Sequence, residues 1–135
     1  MTIENFREMI KNLLATKWDC IIHETVERTK WVILDTLFAT WHGLENRENQ
    51  QLVHSFSRAK QDNINCIPII GSKRYSSPSS ASLIHGTATV SNELDEGNQF
   101  AKGHPAAHIF PVAFNTAVSE NVSGKEFNPS FSNRL

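Results

Sequence analysis

The chain has 135 residues, 13 Lys and Arg against 14 Asp and Glu, 39% hydrophobic residues and 2 Cys. This length and composition fit one ordinary globular unit and exclude collagen-like, low-complexity and disulfide-scaffold proteins. A net charge of −1 provides no basic excess, so we expect neither nucleic acid nor a membrane surface as a partner. No segment approaches the roughly 20 apolar residues that span a bilayer, and the first residues lack a secretory signal. We therefore expect a cytoplasmic protein.

Apolar periodicity predicts three helices in the first half of the chain. The first begins at Ile3, where apolar residues three and four apart define one stripe. The second covers 23–41, and we assign to one side of it Val26, Ile33, Leu34, Leu37, Phe38 and Trp41. A third, more polar helix is predicted over 45–60. Cys20 and Cys66 have no CxxC partner, so we expect two reduced, buried side chains.

The apolar pattern that predicts secondary structure is weakest in the middle of the chain. A β-branched segment over 63–70 is interrupted by Pro68, which predicts an edge strand or an extended connector. The serine-rich segment that follows is predicted to be a loop, and Ser79 or Ser80 is predicted to cap a fourth helix. That helix covers about 81–94, and its small side chains indicate a buried position.

A fifth helix is predicted from His104-Pro105 to about Asn121. Proline at the first helical position loses no useful hydrogen bond and fixes the backbone angle that a helix requires. Five helices with one short extended segment predict an all-α fold.

The segment 93–108 carries the candidate chemistry. Three carboxylates, an amide pair, a lysine and two histidines lie there between two apolar helices. Polar groups at such a junction either face water or serve a site, since burying them unpaired is costly. Histidine at a helix start could relay a proton, and the free N–H groups there suit a substrate carboxylate. We assign as catalytic candidates His104, Glu93 and Asp95, and as substrate-binding candidates Glu96, Asn98, Lys102 and His108.

Each assignment has an alternative. The carboxylates could form only a solvated helix end. His104 and His108 could ligate a metal, but the HExxH signature is absent and we assign no metal site. His85 could be a core histidine with satisfied hydrogen bonds. The motifs GxSxG, GxGxxG and GxxxxGK[ST] are absent, so triad hydrolysis, dinucleotide binding and phosphate-loop chemistry have no support.

Several motifs follow one another in a characteristic order: Lys30-Trp31-Val32-Ile33-Leu34-Asp35-Thr36-Leu37, Gly71-Ser72 with a Ser-Pro loop, His85-Gly86-Thr87-Ala88, Glu93-Leu94-Asp95-Glu96 and His104-Pro105. In this order they resemble the amino-terminal part of the MmgE/PrpD family. That family includes 2-methylcitrate dehydratases, cis-aconitate decarboxylases and iminodisuccinate epimerases.

The resemblance implies a helical domain and cofactor-independent proton abstraction next to a carboxylate of a small di- or tricarboxylic acid. Elimination, decarboxylation or reprotonation would follow, in an assembly that is usually a homodimer. His104 falls on the family's active-site histidine, and Glu93 falls where many members place an aspartate. Asp95 and Glu96 fall on the two acidic positions after it, whereas Gly97 replaces the usual threonine.

The resemblance also implies that part of the site is missing. Complete members are several-fold longer, continue into further helices and an α/β lid domain, and use residues from those segments. We therefore expect a truncated homologue, with a partial helical domain over 1–127 and a divergent tail over 128–135. Its parent activity would be that of a lyase or isomerase, with a homo-oligomer or a companion chain supplying the rest. The alternative is a non-catalytic helical remnant or interaction module that needs a companion chain.

Overall fold

The computed structural model describes residues 2–59, 66–100, 102–124 and 126–127. Within these ranges the chain forms five α-helices, a 3-10 turn at Trp18–Cys20 and one short antiparallel strand pair. The helices are α1 (Ile3–Ala15), α2 (His23–Gly43), α3 (Arg47–Phe56), α4 (Pro78–Val90) and α5 (Pro105–Ser119), and the strands are β1 (Ile67–Pro68) and β2 (Tyr75–Ser76). The all-α prediction is confirmed. None of the described helices is long and apolar enough to cross a membrane.

Helix α4 lies at the centre of the fold, where it packs against α2, α3 and α5. Its many small side chains allow this close packing. The buried residues of α4 are Ala81, Ile84, His85, Ala88 and Thr89. The predicted burial of this helix is confirmed. Its cap differs from the prediction, because the side chain of Ser77 accepts the hydrogen bond from the Ser80 backbone N–H at 3.3 Å.

The predicted apolar side of α2 is buried only in part, because Val26 is buried and Ile33 and Leu37 are half-buried against the core. Its buried residues are mostly small, namely Val26, Thr29, Val32, Thr36, Ala39, Thr40 and Gly43. Leu34, Phe38 and Trp41 are instead about half exposed, at 56%, 52% and 47%. The threonine hydroxyls can be buried because they donate to backbone carbonyls four residues earlier. Small, internally satisfied side chains let α2 approach α4 more closely than the bulky apolar residues would.

The strand pair joins the middle of the chain to the core. Ile67 pairs with Ser76 and Pro68 with Tyr75, so the predicted extended segment is present and Pro68 is exposed on it. β2 lies in a segment that was predicted to be loop throughout. Ile67 packs with apolar residues of α3 and α4 in one core cluster.

The prediction of buried cysteines was wrong, since Cys20 is exposed and Cys66 is half-buried. Cys20 lies in the 3-10 turn before α2, and Cys66 directly precedes β1. The start of the predicted extended segment, residues 63–65, and the expected tail, residues 128–135, lie outside the described residues.

Candidate functional site

The segment between α4 and α5 forms a short hairpin. The Asn98 N–H donates to the Gly103 carbonyl at 2.8 Å, and the Gly103 N–H donates back at 3.4 Å. Phe100 and Lys102 lie at the exposed tip, where Lys102 has a left-handed backbone with φ +55. The hairpin therefore returns the chain to α5 beside the end of α4.

Closure of the hairpin brings Asp95 and His104 together. Oδ2 of Asp95 lies 3.1 Å from Nδ1 of His104, and the Asp95 side chain is only 3% exposed. This oxygen makes no hydrogen bond of ordinary geometry within the described part of the chain. The two atoms are in contact, but their geometry is not that of a hydrogen bond.

His104 occupies the N-cap position of α5 but does not cap the helix with its side chain. Glu96 serves the helix start instead, because its Oε2 accepts from the Ala106 N–H at 3.4 Å. A carboxylate there is stabilised by the positive end of the helix dipole. One of the N–H groups that we expected to receive a substrate carboxylate is therefore bonded to the protein itself.

The remaining predicted site residues are less closely connected. Glu93 is exposed after α4 with a left-handed backbone at φ +53. The side chain of Asn98 accepts from the Phe100 N–H at 3.0 Å and so supports the hairpin. Lys102 and His108 are exposed. Asp95, His104 and Glu96 are thus the members of the predicted set that the structure gathers at the start of α5.

A cleft that sequence analysis missed lies between α2 and the hairpin. It encloses about 620 Å³ and is lined by Glu24, Thr25, Arg28, Thr29, Val32 and residues 96–100. Ligand sites commonly measure about 300–1,000 Å³. Arg28 places a guanidinium on the wall opposite the hairpin. The sequence does contain a signal for the α2 wall of this cleft. Glu24, Arg28 and the buried Val32 follow one another at intervals of four residues and therefore share one helix face.

His85 is a core residue and lies apart from this cleft. Its Nδ1 is 3.1 Å from Asn115 Oδ1, and its Nε2 accepts from the Ile70 N–H at 3.2 Å. Burial lowers the pKa of His85 to about 4, and the hydrogen bond with Asn115 opposes that shift. The ring is therefore neutral at physiological pH, with the proton on Nδ1. His85 is therefore a core histidine with satisfied hydrogen bonds, as the sequence analysis allowed.

The described ranges bring together no group of three His, Cys, Asp or Glu side chains that could hold a metal ion. The sequence model of the MmgE/PrpD N-terminal domain matches residues 7–129. The chain belongs to the MmgE/PrpD family. The match covers α2 to α5 and the whole hairpin, and it therefore includes Asp95 and His104. Comparisons with curated proteins and with solved structures gave no match.

Proposed function

We propose that the hairpin and the start of α5 form the proton-transfer part of a lyase or isomerase site. The substrate would be a small di- or tricarboxylic acid, resembling 2-methylcitrate or cis-aconitate, and the reaction would need no cofactor. One observation carries this proposal: a buried carboxylate oxygen lies 3.1 Å from one nitrogen of an imidazole that is itself 46% exposed. Such an arrangement orients a histidine while leaving its other nitrogen accessible.

In this proposal Asp95 fixes the imidazole and His104 transfers the proton. Nε2 of His104 removes a proton from the carbon next to a substrate carboxylate. In a dehydration the neighbouring hydroxyl group then leaves as water with the proton from His104, and in an epimerisation a proton returns to the opposite face of the same carbon. In a decarboxylation no proton is removed first: carbon dioxide leaves, and the imidazolium of His104 gives its proton to the carbon chain. Asp95 stabilises the imidazolium that forms after the first step. Glu93, assigned by its position in the family motif, would contact the substrate from the end of α4.

The cleft offers one guanidinium, that of Arg28, to a substrate carboxylate, and its lining also includes the carboxylates of Glu24 and Glu96. Arg28 forms no ion pair or hydrogen bond with the other described residues, so its guanidinium is available for a ligand. A guanidinium binds a carboxylate through two parallel hydrogen bonds. We assign Arg28 to the substrate carboxylate farther from the reacting carbon. Lys102 and His108, which are exposed outside the cleft lining, are assigned as further substrate contacts. A metabolite of this kind and the balanced charge of the chain support a cytoplasmic setting.

The test is hydrogen exchange into citrate, 2-methylcitrate and cis-aconitate in heavy water, followed by proton NMR. The purified chain should catalyse exchange at a carbon next to a carboxylate. The variant His104→Ala should lose about 10²–10⁴-fold of that rate. His54→Ala, which removes an exposed histidine of α3, is the matched control and should retain the rate. Exchange by His104→Ala at the original rate would contradict the proposal.

A second candidate is a non-catalytic interaction module that needs a companion chain. The exposed apolar residues of α1 and α2 favour it, since isolated globular domains rarely expose large apolar patches. Absence of both exchange and polycarboxylate binding, together with tight association with another protein chain, would support this second function over the first.

A further inference from the structure

We propose that a groove between α3 and the turn joining β1 to β2 binds a short apolar peptide with a free amino terminus and a free carboxyl terminus. The groove encloses about 380 Å³, which lies within the range of small-ligand sites. It shares no lining residue with the cleft beside the hairpin. The proposal therefore does not depend on the chemistry assigned to Asp95 and His104.

The floor and one wall of the groove are apolar. Val53 of α3 and Ile69 after β1 are buried, at 9% and 1% exposure, and belong to one core cluster. The indole of Trp41, which is 47% exposed, lines the same groove. A Cβ atom at position 71 would lie 2.7 Å from Cδ1 of Trp41, so the turn backbone contacts the indole directly. These groups provide an apolar surface and an aromatic ring for an apolar side chain of the ligand.

A guanidinium lies at one end of the groove and is held in place by α3. Nε of Arg74 donates to Ser57 Oγ at 2.7 Å, and Nη2 donates to the carbonyls of Ser57 and His54 at 2.5 and 3.4 Å. These bonds satisfy the last carbonyls of the helix. Nη1 of Arg74 makes no hydrogen bond to any other residue that the structure describes. It can therefore donate to a carboxylate while the existing bonds are kept.

A carboxylate lies at the other end of the groove. Glu45 is exposed just before α3, and it has no ion-pair partner in the described part of the chain. The start of α3 at Arg47 and the carbonyl of His54 are seven residues apart. At 1.5 Å per residue this corresponds to roughly 10 Å along the helix. A ligand with an ammonium group at one end and a carboxylate at the other matches Glu45 and Arg74.

The length of the groove and its main-chain groups favour a peptide over other ligands of this charge. An extended tripeptide spans about 10 Å at 3.3–3.6 Å per residue, whereas a free amino acid carries both charges on one carbon atom. Gly71 is exposed in the turn, with a left-handed backbone at φ +68. Its N–H and carbonyl make no hydrogen bond to other described residues. Both can bond to the main chain of a peptide, which is a common source of affinity in peptide recognition.

The test is isothermal titration calorimetry of the full chain with the tripeptide alanyl-leucyl-alanine. The peptide should bind at one site. Acetylation of its amino terminus removes the ammonium group, and amidation of its carboxyl terminus removes the carboxylate. Each change should raise Kd about tenfold or more, as expected for loss of a charged hydrogen bond. Free leucine, which cannot reach both ends, should bind at least about tenfold more weakly. Absence of binding at millimolar peptide would overturn the proposal.

Paired substitutions test where each end of the peptide lies. Glu45→Gln should raise Kd for the unmodified peptide about tenfold and leave that of the acetylated peptide unchanged. Arg74→Gln should weaken the unmodified peptide similarly and leave the amidated peptide unchanged. Glu48→Gln and Arg47→Gln are the matched controls, because both residues are exposed on α3 outside the groove lining.

The two substitutions also separate binding from folding. Arg74 caps α3, so circular dichroism of Arg74→Gln verifies that the helices are retained. Glu45→Gln changes an exposed side chain and should fold normally, so it tests the proposal even if Arg74→Gln does not fold. Unchanged binding by Glu45→Gln, or equal weakening of the free and the acetylated peptide, would overturn the placement of the amino terminus and with it the proposed ligand class.

Discussion

Gly43 lies against Ala88 so closely that a Cβ atom at position 43 would be 1.9 Å from the Ala88 carbonyl oxygen. The last turn of α2 therefore touches the backbone of α4, and only glycine leaves room for this contact. Helix α4 leads directly into the segment that contains Asp95. The position of the candidate site thus depends on a contact between α2 and α4 that leaves no room for a side chain at position 43.

Replacement of Gly43 by alanine should destabilise the fold. Alanine favours a helix by about 1 kcal/mol over glycine, but overpacking in a core typically costs about 1–3 kcal/mol and here involves backbone. We expect a net loss of stability, measured as the midpoint of urea unfolding. Gly124→Ala is the matched control, since nothing lies within 4 Å of its added Cβ. Unchanged or increased stability of Gly43→Ala would contradict the close contact.

Acid should destabilise the protein through His85. Its pKa is lowered to about 4 in the folded chain, whereas an unfolded histidine titrates near 6.5. Between those values the unfolded chain binds the extra proton, so stability falls as the pH decreases from about 6.5 to 4. The stability lost by about pH 4 is on the order of 3 kcal/mol. Urea unfolding at a series of pH values measures it, and His85→Gln should reduce the slope. An unchanged slope would show that His85 is not responsible.

The contact between Asp95 and His104 predicts a catalytic effect of Asp95→Asn. The amide keeps the size of the carboxylate but removes the charge that stabilises an imidazolium. We expect a fall of at least about tenfold in the exchange rate, equivalent to roughly 1.4 kcal/mol in the barrier. The fold should be retained because the amide has the same size and Asp95 Oδ2 makes no hydrogen bond among the described residues. Asp35→Asn, an exposed carboxylate on α2, should leave the rate unchanged. Equal rates for both variants would remove Asp95 from the mechanism.

Arg28 should affect substrate binding more than turnover. Its proposed partner is a carboxylate that does not react, so the interaction is equal in the ground state and the transition state. Arg28→Ala should raise KM about tenfold or more, as expected for loss of a charged hydrogen bond, with little change in kcat. Arg47→Ala, an exposed arginine at the start of α3, serves as the control. A fall in kcat at constant KM would instead place Arg28 at the reacting carbon.

The helices could be predicted because each has a clear apolar period or a recognisable start, such as Pro105 after His104. Which face of α2 is buried could not be predicted from hydrophobicity. Threonine, alanine and glycine occupy the buried side because they permit close approach, and their polarity conceals this role in the sequence. The two-residue strand β2 was hidden by serine-rich composition, since pairing with Ile67 and Pro68 arises only in the folded chain.

The candidate site, like the fold, could be predicted only in part from the sequence. The motif identified the residue types and their order, but nine positions separate Asp95 from His104, and no spacing rule places them in contact. The hairpin hydrogen bonds between Asn98 and Gly103 create that contact. Arg28 was missed because it faces the hairpin across a tertiary cleft, about 70 residues away in the sequence.

The backbone hydrogen bonds between Asn98 and Gly103 divide the segment into two groups of positions, at which substitutions have different consequences. Asp95 and His104 lie on the inner side of the bridge, whereas Gln99, Phe100 and Lys102 lie on its outer side. Substitutions or insertions at the tip can alter what the cleft accepts while the backbone hydrogen bonds hold the inner pair in register. In the proposed function, substrate preference then changes among related proteins while the Asp95 and His104 pair is retained.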